Sequence, residues 1–284
     1  MIVAFYFLLA CIPKQPHLKQ PLNLYRLSKK GQPISYLFGT CHYKIPLAKA
    51  LPPSTDPIVE QSNRFIFEVS ANDKNTTKIS ELIALKEGQS LDSLLGSQVW
   101  KELIVYFDLG LEAMFINTLH PFVMYSYALS ELLHPRKNRL PIARMDVELE
   151  HFTLALKKEQ YFLESMSEQL NLLTQQPMEP WLNHLKELST PEGRMKLKKD
   201  TEAILSVCLT GDEQYFMNLQ AQFTTKNDAL QISERNHNWL PIIQQHLSED
   251  STFIAVGVAH LYGEDGLLNL LKKQGWSQQR IYRK

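Results

Sequence analysis

The chain lacks an excess of charge of either sign: 30 Lys and Arg stand against 30 Asp and Glu in 284 residues. A basic face of the kind that phosphate backbones or anionic bilayers attract is therefore not expected, and no nucleic-acid partner is implied. Cysteine is scarce as well, with only Cys11, Cys41 and Cys208. Three thiols so scattered do not make a disulfide framework or a thiolate zinc cluster, and Cys41 is expected to be a small packing residue. Beyond the first ten residues no run approaches the roughly 20 apolar residues that a membrane-spanning helix needs.

The first residues themselves, MIVAFYFLLAC, form a short apolar run ending in Leu8-Leu9-Ala10-Cys11. That run has the look of a lipoprotein processing site at which Cys11 would be lipidated after cleavage, although no Lys or Arg precedes it. Residues 1–22 are then a signal segment and a Pro-containing tether, and the protein belongs to the cell envelope, periplasmic or anchored to a membrane through Cys11. A buried strand in a cytoplasmic protein is the alternative.

Residues 23–284 read as one α/β domain. LNLYRLS and ISYLFGT flank the turn-forming Lys-Lys-Gly-Gln-Pro and predict a hairpin, and a helical turn over 58–63 leads into the buried strand RFIFEVS. From about 90 to 247 apolar residues recur at spacings of three and four between prolines, which predicts a large helical insert. The chain then returns to a strand, TFIAVGV, a helix, LLNLLKKQ, stopped at Gly275, and a last strand, WSQQRIYR. The expected fold is α/β, with a mixed sheet formed by the N- and C-terminal parts and the helical insert between them.

One pattern recurs. An apolar strand ends in Gly39-Thr40-Cys41-His42, and another ends in Gly257-Val258-Ala259-His260. Glycine at a strand end permits close backbone approach, and a histidine three residues on can reach across the sheet rim, where α/β sheets place their sites. A lone Gly-x-x-His is weak; its repetition after two buried strands points to a pseudo-duplicated unit that contributes one histidine from each half. Glu68 interrupts the apolar RFIFEVS, so it is either an edge carboxylate facing solvent or a buried one that must meet a cation, a metal or hydrogen-bond donors. Two histidines and a carboxylate form a ligand set that leaves positions open for water and substrate.

Arg235 and Asn236 fall inside the helical stripe defined by Ile232, Trp239 and Ile243, where polar groups are costly unless paired. Arg235 is expected either in a salt bridge, with Glu68 the candidate partner, or steadying a developing oxyanion. Glu264 and Asp265 are expected to support the helix that follows them, and His120, His134, His184, His237 and His246 to be ordinary helix or loop residues.

The segments YLFGTCH, RFIFEVS, ERNHNW and FIAVGVAHLYGEDGLLNLLKKQGW resemble the TraB/GumN family, which is related to the Tiki proteases and more distantly to erythromycin-esterase-like hydrolases. The resemblance runs from about Tyr36 to the C-terminus. It implies a hydrolase, peptidase-like in the Tiki branch, with His42, Glu68 and His260 holding a divalent cation (manganese, cobalt or zinc) and acting with Arg235 in catalysis. Asn236 would then bind substrate, a peptide or a small molecule. An esterase-like enzyme using histidine as a metal-free base, or a non-catalytic peptide- or pheromone-binding envelope protein, are the alternatives that it leaves. Two positions depart from the family: Cys41 replaces an apolar residue, and Ser70 stands where an aspartate often follows the glutamate.

Overall fold

The computed structural model describes residues 20–41, 45–70, 76–133, 144–223 and 226–283. Among them, six strands form one mixed sheet: β1 (Pro21–Ser28), β2 (Ser35–Thr40), β3 (Arg64–Phe67), β4 (Glu159–Phe162), β5 (Thr252–Gly257) and β6 (Ser277–Tyr282). Their order is β4-β3-β5-β2-β1-β6. The predicted hairpin is β1–β2, with Leu24 opposite Phe38, and β6 closes the far edge antiparallel to β1.

The four strands β4, β3, β5 and β2 run parallel, and Gly39 and Thr40 sit beside Val256 and Gly257. The two Gly-x-x-His motifs therefore leave the carboxyl ends of adjacent strands, as the repeated pattern implied. β5 is buried at every residue, which fits a central parallel strand covered on both faces and explains why TFIAVG is apolar without alternation. Helices Lys226–Glu249, Met145–Ala155 and Pro191–Thr210 pack against β5, β3 and β1.

Among the described residues of the stretch 90–247, one strand is set among the helices. Glu159–Phe162 forms β4, paired in parallel with β3 so that Arg64 meets Glu159 and Phe67 meets Phe162. Without it β3 would present an unpaired edge. The insert also carries a hydrophobic cluster of its own: Leu91, Trp100, Leu103, Met124 and Leu185 belong to a group separate from the sheet core of Phe38, Phe65, Ile254 and Trp239.

Cys41 and Cys208 are joined in a disulfide, with their Cα atoms 6.2 Å apart and a separation of 167 positions along the chain. The expectation that Cys41 is a free packing residue is thereby corrected: the bond ties the loop leaving β2 to the helix Pro191–Thr210. On the same helix, the carbonyls of Val207 and Cys208 accept hydrogen bonds from the buried Asn23 amide of β1.

Gly39 shows why the motif begins with glycine. A Cβ there would lie 2.9 Å from Leu261 Cδ2, 3.2 Å from Val258 Cγ2 and 3.3 Å from Asn23 Cβ. The turn after β5 thus crosses the end of β2 with no room for a side chain. Gly39→Ala is expected to destabilise the protein by about 1–3 kcal/mol through overpacking, read as a lower denaturation midpoint at unchanged slope.

Candidate functional site

The site is assembled at the carboxyl ends of the parallel strands. Past the end of β3 and β4 the backbone pairing continues for two residues, Leu163 N–H donating to Phe67 O at 2.9 Å and Glu164 N–H to Glu68 O at 3.0 Å. This sets the Glu68 and Glu164 side chains next to one another. Glu68 is 5% exposed, which settles its two sequence-level alternatives in favour of the buried, partnered one. Its Oε2 accepts the Gly257 N–H at 3.1 Å, and its Oε1 accepts from Gln169 Nε2 at 2.7 Å and Arg235 Nη2 at 2.5 Å.

Arg235 comes from the long helix Lys226–Glu249, one residue before Asn236. Its guanidinium is held by two carboxylates: Nε donates to Glu164 Oε1 at 2.7 Å, and Nη2 to Glu164 Oε2 at 2.9 Å as well as to Glu68. Trp239, one turn on, donates its indole N–H to Glu164 at 3.0 Å and lies under the guanidinium with 4.7 Å from ring centroid to Arg235 Cζ. Burial works against the Arg235 charge, but the hydrogen bonds to Glu164 and the charge of Glu68 outweigh it and hold the pKa above the usual arginine value. Nη1 makes no hydrogen bond among the described residues, and Arg235 lines a cleft of about 640 Å³ together with Glu68, Gln169, Gly257 and His260.

His260 is 3% exposed and its ring stacks obliquely on Trp239, with centroids 4.4 Å apart. Asn236 determines its tautomer. The Asn236 amide nitrogen donates to two backbone carbonyls, His260 O at 3.1 Å and Asp265 O at 2.8 Å, so its oxygen is the atom 2.7 Å from His260 Nδ1. Nδ1 must then carry the proton, and Nε2 is the nitrogen able to take one. Nε2 lies 4.0 Å from Glu68 Oε1, close enough for the carboxylate to offset the charge the ring gains on protonation.

Asn236 is fully buried and does not line the cleft. In this arrangement Asn236 holds the His260 ring and the loop behind it. Asp265 likewise serves the long helix more than its own: its carboxylate accepts from Ser233 Oγ at 2.7 Å and lies 3.2 Å from His237 Nε2. Glu164 and Gln169 were not anticipated. Both belong to the insert, and nothing periodic in FLESMSEQ separates them from solvent-facing residues. Ser70, at the departure from the family pattern, donates to the buried Glu150 at 2.9 Å. His42 and Cys11 lie outside the described residues.

Glu68 and His260 are the expected cation ligands that the described residues contain. No group of three His, Cys, Asp or Glu is poised around a common ion position among the described residues. Glu68 already takes three donors, one of them a guanidinium whose charge a divalent cation would have to share. The third donor of the ligand set that the resemblance implies, His42, lies outside the described residues.

The fold and this constellation define a class: α/β proteins in which a strand glutamate, a helical arginine and a strand-end Gly-x-x-His histidine, here Glu68, Arg235 and His260, meet at one cleft at the carboxyl ends of parallel strands. Residues 23–280 match the model of the TraB/PrgY/gumN family, and the chain belongs to that family. Comparison with curated proteins and with solved structures found no match.

Proposed function

We propose that the protein is a hydrolase acting on an ester or amide bound in the cleft over Glu68, Arg235 and His260. The observation that carries this reading is the Asn236-fixed tautomer, which leaves His260 Nε2 as a proton acceptor beside a buried carboxylate and a clamped guanidinium. His260 takes a proton from water as the water attacks the carbonyl, Glu68 offsets the resulting imidazolium, and Arg235 Nη1 donates to the oxygen that becomes negative. Collapse of the tetrahedral intermediate returns the proton from His260 to the leaving group.

A divalent cation (manganese, cobalt or zinc) held by His42, Glu68 and His260 is the form of this reading that the family resemblance implies. Such an ion would acidify the bound water. Elemental analysis of protein purified without chelator separates the two forms: stoichiometric metal lost on combining His42→Ala with His260→Ala supports the cation, and metal-free protein that is fully active overturns it.

His260→Ala is expected to lower kcat/KM by at least about 10²–10⁴-fold in either form, with folding unchanged by circular dichroism. Turnover at the wild-type rate by that variant would end both forms of the mechanism, and a wild-type protein that cleaves neither esters nor amides would favour a binding protein for a peptide or small molecule. The Cys41–Cys208 bond supports an oxidising compartment such as the cell envelope, in line with processing and lipidation at Cys11. No described helix is long and apolar enough to cross a membrane.

A further inference from the structure

The cleft has a second face with no counterpart in the chemistry above. Met166, Leu170, Leu172 and Leu173 of the helix Met166–Thr174, and Ile232 of the long helix, all line it. Leu170, Leu172, Leu173 and Ile232 are half-buried and, among the described residues, belong to neither hydrophobic cluster. Ile204 and Phe216, from two further helices, continue the same lining. Apolar side chains from several helices that line a cavity of this size are what binding sites for apolar ligand groups look like.

Gln169 gives the wall a direction. It stands on the same helix and donates to Glu68 Oε1 at 2.7 Å, which fixes where the wall meets the reacting centre. Residues three and four apart share a helix face, so Met166, Gln169, Leu170 and Leu173 form one stripe. From Gln169 to Leu173 the stripe rises about 6 Å, at ~1.5 Å per residue. That is the reach of an aliphatic chain of about four to six carbons lying against it.

Resting on the hydrolase reading, we propose that the substrate carries an uncharged apolar group of this length next to the bond that is cleaved, seated against Leu170 and Leu173. The group is either the acyl chain of an ester or a large apolar side chain beside an amide. Its contacts supply binding that holds the carbonyl between His260 Nε2 and Arg235 Nη1.

Two substrate series separate the sources. One is p-nitrophenyl esters from acetate to dodecanoate, and the other is aminoacyl p-nitroanilides of Leu, Phe, Ala, Asp and Lys. In whichever series is turned over, kcat/KM is expected to rise at least tenfold from the acetyl or Ala member to the hexanoyl or Leu/Phe member. Leu173→Phe should move the optimum to a shorter group, and Leu173→Gln should erase the preference. A preference for acetyl, Asp or Lys, or an optimum unmoved by Leu173→Phe, overturns the proposal.

Binding of the neutral fluorophore N-phenyl-1-naphthylamine provides a readout without turnover. Wild-type binding weakened about tenfold or more by Leu170→Gln or Leu173→Gln, with no substrate cleaved, would end the hydrolase reading and leave the apolar subsite standing. Binding unaffected by both substitutions overturns the subsite.

Discussion

Arg235→Met is expected to destabilise the folded protein by about 3–5 kcal/mol, the loss typical of breaking a buried ion pair from one side. Two carboxylates, Glu68 and Glu164, share this one guanidinium, and their side chains are respectively 6% and 10% exposed. Removing the cation leaves two like charges side by side in a water-poor setting, a worse outcome than losing a single-partner salt bridge. Chemical denaturation at neutral pH measures the loss. Combining Glu164→Gln with Arg235→Met should recover part of the gap to wild type. A single variant within 1 kcal/mol of wild type would mean that water or another cation reaches the pair. Arg235→Lys should rescue little, because one ammonium cannot reproduce the paired contact with Glu164 while also meeting Glu68.

Severing the Cys41–Cys208 bond is the second change of large expected effect. The bridge closes a loop of 167 residues, and the chain-entropy relation for a loop of that length gives about 5 kcal/mol of stabilisation through the unfolded state. Thermal unfolding with and without dithiothreitol, or of Cys208→Ser, should show a Tm lower by about 10–20 °C, at ~2–4 °C per kcal/mol for a chain of this size. Thiol titration of unreduced, denatured protein should find neither Cys41 nor Cys208. A reductant-insensitive Tm would show that packing of the helix Pro191–Thr210 against β1 holds that end of the site unaided.

The strands of the sheet centre were legible because their signals are local. The hairpin is marked by Lys-Lys-Gly-Gln-Pro between two half-buried segments, and β5 by six consecutive buried residues. β4 was not, since Glu-Gln-Tyr-Phe is four residues long, partly exposed and set among helices. It becomes a strand only because β3 offers it an edge.

The same contrast holds within the site. Glu68 stood out as a charge in an apolar strand, and its pairing with Arg235 followed from two polar groups each misplaced on a buried surface. Glu164 carries no such mark, as its burial is created by Arg235 and Trp239 closing over it. Asn236 was recognised as out of place on its stripe, but a stripe position does not distinguish a residue facing a cleft from one that braces a neighbour. The disulfide was invisible for another reason: pairing across 167 residues is a property of the fold, and spacing along the chain carries no trace of it.

The insert's strand β4 has a consequence for how this architecture can change. The segment from Glu159 to Thr174 supplies an edge strand, the polar contacts of Glu164 and Gln169 to Arg235 and Glu68, and the apolar stripe, so it cannot be shed or exchanged as a lid could. The separate cluster around Trp100, Leu103 and Leu185 is under no such constraint. The insert is therefore of unequal freedom along its length. The parts bound to the sheet, among them the helices Pro191–Thr210 and Lys226–Glu249, would be inherited with the site, and the bundle around Trp100 can be remodelled, lengthened or replaced while the site stays where it is.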